Sequence, residues 1–373
     1  MKYEKLGELA KIKTGKLDAN MSDENGKYPF FTCSIKTYRI NNFSYDCECV
    51  LVAGNGDLNV KYYDGKFDAY QRTYIIESIN KEVLNTKFLY YFLCNYIDTL
   101  RNNSIGGVIK YIKLGDLTDI NIPLLSLDEQ LKIVSILDKA KELMQKSKEA
   151  LDDLDELIKS RFIEMFGDPI INTKNWDIKN LGELGYFKNG MNYKQSDSGF
   201  NIKFLGVGEF KYGNIINSSN MLPTLELQEK PKDEYLLKDG DIVFVRSNGS
   251  KELVGRSVLV KELEEDTTYS GFCIRYRNKS NEITPEFLIN LFSDEGFKSY
   301  FKKDSRGANI NNLNQQMLSS LNIILPPIEL QNQFADFIKQ ANKLKVKMDK
   351  SLNNLEDNFN SLMQKSFKGN LFR

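Results

Sequence analysis

No histidine occurs in the 373 residues of this chain. That absence excludes Ser-His-Asp and Cys-His nucleophile systems, and every zinc site built on imidazole. Cysteine is scarce and scattered: five residues, Cys33, Cys47, Cys49, Cys94 and Cys273. An odd, dispersed set predicts free thiols in a reducing cytoplasm. Cys47 and Cys49 stand too close together for the usual zinc spacing. No run of 18 apolar residues occurs, so no membrane-spanning segment is expected. The opening MKYEKLGELAKIK lacks the apolar core of a signal peptide, which points to a cytoplasmic protein. There is no GxxxxGK[ST] loop, hence no P-loop ATPase. There is also no Asp-Pro-Pro-Tyr or Asn-Pro-Pro-Phe run of the kind amino-methyltransferases share, and no pair of carboxylates that stands out as nuclease metal ligands. Phe204 to Gly208 loosely fits the FxGxG pattern of methyl-donor sites, but no acidic residue follows at a suitable place, and the segment reads as a strand running into a turn. Net charge is zero, so bulk electrostatics announces no polyanionic partner. Lacking a catalytic set, a metal set and a cofactor motif, the chain is expected to bind rather than to react.

What the chain does contain is itself, twice. IPLLSLDEQLKIVSILDKA (122–140) and LPPIELQNQFADFIKQA (325–341) align at a constant offset of 201. Leu124 meets Leu325, Gln130 meets Gln331, Ile133 meets Phe334 and Ala140 meets Ala341, and the register continues through Leu151/Leu352, Leu154/Leu355 and Ile158/Phe359. Near the start of each half, Leu6-Gly7-Glu8-Leu9 recurs as Leu181-Gly182-Glu183-Leu184, and Lys13-Thr14-Gly15 as Lys188-Asn189-Gly190, at an offset of 175. The difference between the two offsets gives the second half 26 more residues, most of them between Gly190 and Asn248. Ends that agree around a middle that has drifted describe a shared scaffold carrying two different surfaces.

The globular halves read as mixed α/β. Cys49–Ala53 and Asp241–Val245 are short apolar runs, Tyr74–Ile76 and Phe272–Tyr276 look like further strands, and Lys87–Asn95 and Pro285–Phe292 are apolar at helical spacing. The length allows two or three domains. The predicted division is a globular unit over 1–125, a helix over 126–166, a second globular unit over 167–325 and a closing helix over 326–373.

Both helices carry a coiled-coil seam. Leu137, Met144, Leu151, Leu154 and Ile158 follow a 3-4 alternation, matched in register by Ile338, Met348, Leu352, Leu355 and Phe359. Left wet, each stripe needs a partner, and the other copy is the nearest one. Residues 126–166 hold 7 basic and 10 acidic side chains, whereas residues 326–373 hold 8 and 5. Opposite signs favour pairing of the two helices with each other over self-pairing. The alternative for the acidic cluster Glu149, Asp152, Asp153, Asp155 and Glu156 is a solvated face.

Candidate nucleic-acid contacts recur at matched places. In the first half they are Lys13, Lys16, Arg39, Asn55, Gln71, Arg72 and Lys110, the last at the end of the loop SIGGVIK (104–110). In the second half they are Lys188, Tyr193, Lys194, Arg246, Ser247, Asn248, Lys251, Arg256, Arg306 and Asn309. Arg reads guanine, and Asn or Gln reads adenine, by bidentate bonds in the major groove, while Lys and Ser hold phosphate. Taken alone, each is more often a surface turn; it is the recurrence at matched places in both halves that singles out the set.

These features together resemble the specificity subunits of bacterial Type I restriction–modification systems. The resemblance spans the chain and rests on the half-repeats, KLGELAKIKTGK and YPFFTCS near the start, the lead-ins to Gln130 and Gln331, Glu164-Met165-Phe166-Gly167-Asp168-Pro169 after the first helix, and the closing KSFKGNLF. It implies two α/β target-recognition domains separated by long antiparallel coiled-coil helices, an internal pseudo-twofold repeat, and no catalytic residue, cofactor or metal of its own. It also implies that each domain reads half of a bipartite double-stranded DNA target. The implied partners are two methyltransferase subunits that modify adenine and, for cleavage, ATP-driven restriction subunits, with no membrane. A scaffold or regulator that pairs with homologous subunits without reading DNA is the other possibility. Two departures stand in the lead-ins: Leu125-Ser126 replaces Pro326-Pro327, and Leu330 stands where the first copy has Glu129. A polar contact common to both lead-ins is therefore open.

Overall fold

The computed structural model describes residues 2–193, 199–247, 253–294, 296–299 and 313–368. The chain divides into two compact units, residues 1–149 with 348–373 and residues 150–347. Each unit therefore takes in parts of both long helices, Leu127–Phe166 and Ile328–Phe367, each 40 residues long.

In the first unit a six-stranded sheet runs in the order Ala10–Thr14, Thr73–Ser78, Tyr45–Ala53, Val60–Ala69, Tyr28–Phe31, Tyr38–Ile40. Pairing is antiparallel except between Tyr28–Phe31 and Val60–Ala69. The strand Tyr45–Ala53 shows why its apolar run is continuous. Val50 and Val52 enter a core with Leu6, Phe88 and Leu93, and Cys49 and Leu51 enter one on the opposite face with Phe31, Phe67 and Ile75. Successive side chains on a strand alternate faces, and here both faces are covered. The helix Thr86–Asn103 is started by Asn85, whose side-chain oxygen accepts from the Phe88 N–H at 3.0 Å.

The second unit repeats this plan. Gly185–Asn189, Cys273–Asn278 and Ile242–Val245 lie side by side as Ala10–Thr14, Thr73–Ser78 and Tyr45–Ala53 do. The helix Pro285–Ser293 begins with a Thr284 cap and a proline in its first turn. Asp177–Asn180 pairs with Asn322–Leu325 as Lys2–Lys5 pairs with Asn121–Leu124. The extra residues supply a 3-10 turn, Val207–Tyr212, and an added edge strand, Ile215–Ile216. The FLGVG run does pass from strand Phe200–Leu205 into that turn.

Gly15 and Gly190 hold one packing position in both units. A Cβ there would fall 2.1 Å from the carbonyl oxygen of Ala69 or of Ser270. Only a residue without a side chain lets the strand end approach that closely.

The lead-ins share a polar device after all. Gln130 and Gln331 are fully buried. The side-chain oxygen of Gln130 accepts from Asn85 N–H (2.9 Å), and its amide donates to the Val83 (2.8 Å) and Leu125 (3.0 Å) carbonyls. Gln331 accepts from Thr284 N–H (2.8 Å) and donates to Glu282 (2.9 Å) and Pro326 (2.8 Å). The missing glutamate has a local cause. Glu129 accepts from Ser126 N–H at 2.9 Å, whereas Pro327, the counterpart of Ser126, has no N–H to satisfy. Leu330 instead packs against the core of the second unit.

Helix pairing is antiparallel within each unit. In the first, Ile133, Val134 and Leu137 share a core with Met363 and Phe367, with Phe359 and Leu362 packed against it, and Lys148 pairs with Glu356 at 3.0 Å. In the second, the Phe162 and Phe166 rings lie 5.4 and 5.3 Å from the Phe334 ring, Ile158 packs against the same core as Ile338, and Lys345 meets Asp155 at 2.6 Å. Of the helix-pairing residues, Leu137, Leu154 and Ile338 are buried, and Met144, Leu151, Ile158, Met348, Leu352, Leu355 and Phe359 are half-buried. Among the described residues no helix is long and apolar enough to cross a membrane.

Candidate nucleic-acid interface

In each unit the central antiparallel ladder ends where three loops are tied together by backbone hydrogen bonds. In the first unit the ladder closes at Ala53 opposite Thr73. Beyond it, Gly54 N–H donates to Arg72 C=O (2.8 Å), Ile112 N–H to Gly54 C=O (2.9 Å) and Thr73 N–H to Tyr70 C=O (2.8 Å). In the second unit the ladder closes at Val245 opposite Cys273. There Arg246 N–H donates to Phe272 C=O (2.8 Å), Leu313 N–H to Arg246 C=O (2.8 Å) and Cys273 N–H to Ser270 C=O (2.8 Å). The two hubs have the same bonds and different side chains. Gly54 corresponds to Arg246, and Arg72 to Phe272.

The first hub gathers several of the sequence-based candidates. Asn55 forms a bridge with Tyr111, which in turn pairs with Ile105, and Gly56 N–H donates to Lys110 C=O at 2.9 Å. Gln71 N–H donates to Leu17 C=O at 2.8 Å, which places the exposed Lys16 beside the same loops. The Gln71 amide bonds the Asp18 carboxylate at 2.8 Å. An open cleft of about 310 Å³ is lined by Thr14, Gly54, Gln71, Arg72, Tyr74 and Ile112. A guanidinium and amides on loop ends with fixed backbones can meet the acceptors and donors of base edges.

Two candidates of this unit are engaged elsewhere. Arg39 spans a turn, its guanidinium donating to the Gly26 (2.6 Å) and Lys27 (3.0 Å) carbonyls. Lys13 pairs with Glu77 at 2.5 Å and lies over the Tyr45 ring. Burial opposes the Lys13 charge, yet Glu77 outweighs it, and the ammonium is held above its ordinary range.

In the second unit Arg246 and Ser247 sit at the hub, and the exposed Arg256 joins it through Val245 N–H to Arg256 C=O at 2.9 Å. Lys188 repeats the arrangement of Lys13: it bonds Glu234 at 2.8 Å and lies over the Tyr235 ring, and the Glu234 hydrogen bond raises its pKa. Tyr193 sets its ring edge-on to Phe204 and is 39% exposed. Lys194, Asn248, Lys251, Arg306 and Asn309 lie outside the described residues.

Sequence reading missed Phe272 and the equivalence of Gly54 with Arg246. The signal was present only in the pairing register, because identity is lost at both positions. Among the described residues no group of three or more Cys, Asp or Glu is placed to hold a metal ion.

Comparison with known proteins gives one family. The description "Type I restriction modification DNA specificity domain" matches residues 1–153 and 173–357. The chain is 30% identical to the EcoDI specificity subunit of Escherichia coli, covering 98% of this chain and 87% of that one. It is 28% identical to the StySPI specificity subunit of Salmonella potsdam, covering 74% of this chain and 63% of that one. A solved S subunit of a Type I restriction–modification system from M. genitalium shares the fold, with a TM-score of 0.60 at 18% identity over 98% of this chain and 96% of the other. The chain belongs to the Type I restriction–modification specificity-subunit family, whose members recognise DNA and leave catalysis to other subunits.

Proposed function

We propose that, within this family, the chain reads a bipartite double-stranded DNA target, with residues 1–125 contacting one half-site and residues 167–325 the other. The observation that carries this reading is the pair of backbone hubs: one frame, built twice, presenting Arg72 with Gln71 and Asn55 in one case and Arg246 with Ser247 in the other. A scaffold that only assembled subunits would have no use for two such frames with divergent side chains. Lys16, Lys110 and Arg256 would hold phosphate around the readers. Lys13 and Lys188 would reach phosphate only by exchanging their glutamates, and Arg39 only by leaving its turn.

The segments 126–166 and 326–373 would dock two methyltransferase subunits and fix the gap between the half-sites. A helix of 40 residues rises roughly 60 Å at ~1.5 Å per residue. Along B-DNA that length bounds the gap at about 18 base pairs between half-site centres. Restriction subunits would join for cleavage, in the cytoplasm.

The test is to express the chain with its methyltransferase subunit and map adenine methylation in the host genome. The expected result is a single split motif with a constant gap. A stable complex that methylates nothing would favour the scaffold reading instead.

A further inference from the structure

The two hubs exchange their arginine between loops. In the first unit the arginine comes from the 70–72 turn and faces a glycine; in the second it comes from the opposite loop, and the turn carries Phe272. Sterics keep the first of these positions a glycine. A Cβ at Gly54 would stand 2.4 Å from the Arg72 carbonyl oxygen and 2.9 Å from the Tyr74 ring. The Tyr74 ring is itself pinned by its hydroxyl donating to Ile112 C=O at 3.2 Å. In the second unit the counterpart of Tyr74 is Ile274, which has no ring, and the residue opposite Phe272 is Arg246.

Phe272 is 62% exposed, although its backbone is tied on both sides. Its N–H donates to Ser270 Oγ at 3.2 Å, and its carbonyl accepts from the N–H groups of Arg246 and Ser247. A large apolar ring held in solvent by a fixed backbone, at the position that carries arginine in the sister unit, is a presented side chain rather than a core residue. In duplex DNA the apolar feature open to such a ring is the C5-methyl of thymine in the major groove, because base faces are stacked away.

We infer that Phe272 is a specificity-determining residue of the second half-site, making apolar contact with a thymine methyl beside the base pair read by Arg246. This inference rests on the DNA-reading function proposed above. It is tested with the full chain assembled with methyltransferase subunits, on duplexes in which each thymine of the second half-site is replaced in turn by uracil, which lacks only the methyl. One replacement should weaken wild-type binding roughly three- to tenfold, the worth of one buried methyl group with its neighbouring contacts. Phe272→Ala should weaken binding to the thymine duplex by a similar factor and become indifferent to that uracil. Phe272→Leu should recover part of the discrimination, and the salt dependence of binding should stay unchanged, because no phosphate contact is lost. Sequence-specific binding that ignores every uracil, or a Phe272→Ala complex with wild-type discrimination, would overturn this inference alone. A wild-type complex with no sequence preference would overturn the DNA-reading function and this inference with it.

Discussion

Gln130 and Gln331 each bury a neutral amide, and in each case two hydrogen bonds cross from the start of a long helix to the start of a shorter one while a third ties down the long helix's own lead-in. Alanine at either position would strand a buried N–H and two carbonyls, and an unpaired buried group costs about 1–3 kcal/mol. Gln130→Ala and Gln331→Ala should therefore each lower stability by about 2–4 kcal/mol, read by denaturant unfolding followed by circular dichroism. The thiols make a second prediction. Burial pushes Cys94 up to about 11 and Cys273 up to about 12, and also raises Cys49. All three stay protonated at pH 8, where the thiolate is the reactive form. Iodoacetamide on the native protein at pH 8 should modify Cys33, which is partly exposed, and spare Cys49, Cys94 and Cys273 when the products are mapped by mass spectrometry. At this scale the glutamines were legible because they recur at a fixed offset. Phe272 was not, because a residue that differs between the copies is matched only through strand register. The internal partners of Lys13 and Lys188 were also hidden, since Glu77 and Glu234 lie far from them in sequence and come from non-equivalent places.

The long helices were the most readable elements. A 3-4 apolar alternation sustained through both copies specifies a helix with one apolar stripe, and the seam residues are all buried or half-buried. The charge argument was coarser. Of the acidic cluster at 149–156, Asp155 meets a lysine of the other helix, while Glu156 bonds Lys159 on its own helix. The exposed ion pairs between the helices contribute little each, so apolar burial carries the pairing. Deleting one heptad from both helices, residues 146–152 and 348–354, shortens each by ~10.5 Å with the seam phase kept. That is about three base pairs of B-DNA. The doubly shortened protein should methylate a motif whose gap is shorter by two or three pairs, with both half-sites unchanged. Methylation only at the original gap would show that something other than these helices fixes the distance. Strand limits were less legible: Cys49–Ala53 is the buried run of a nine-residue strand, Tyr45–Ala53, whose first half carries the exposed Asp46 and the half-buried Cys47 and Glu48 and so breaks the apolar signal.

For the whole molecule, duplication and the pairing of the two long helices were visible in the sequence, but the inclusion of the chain's last residues in the first unit was not. The first compact unit takes in residues 348–373, so Met363 and Phe367 complete a core begun by Leu6 and Phe88. The antiparallel pairing of the helices is what brings chain end and chain start into one unit. If the DNA-reading function proposed above holds, two units with the same hub and different side chains should act independently, and the arginines offer a first check. Arg72→Ala and Arg246→Ala should each weaken binding by about 1–3 kcal/mol and relax one position, in different half-sites. The most direct test of the central claim replaces residues 1–125 with the matching segment of another member of the family and maps adenine methylation in cells that supply the methyltransferase subunit. One half of the motif should change to that of the donor, while the other half and the gap stay as they were. A motif that changes in both halves, or in neither while the hybrid assembles normally, would contradict the account.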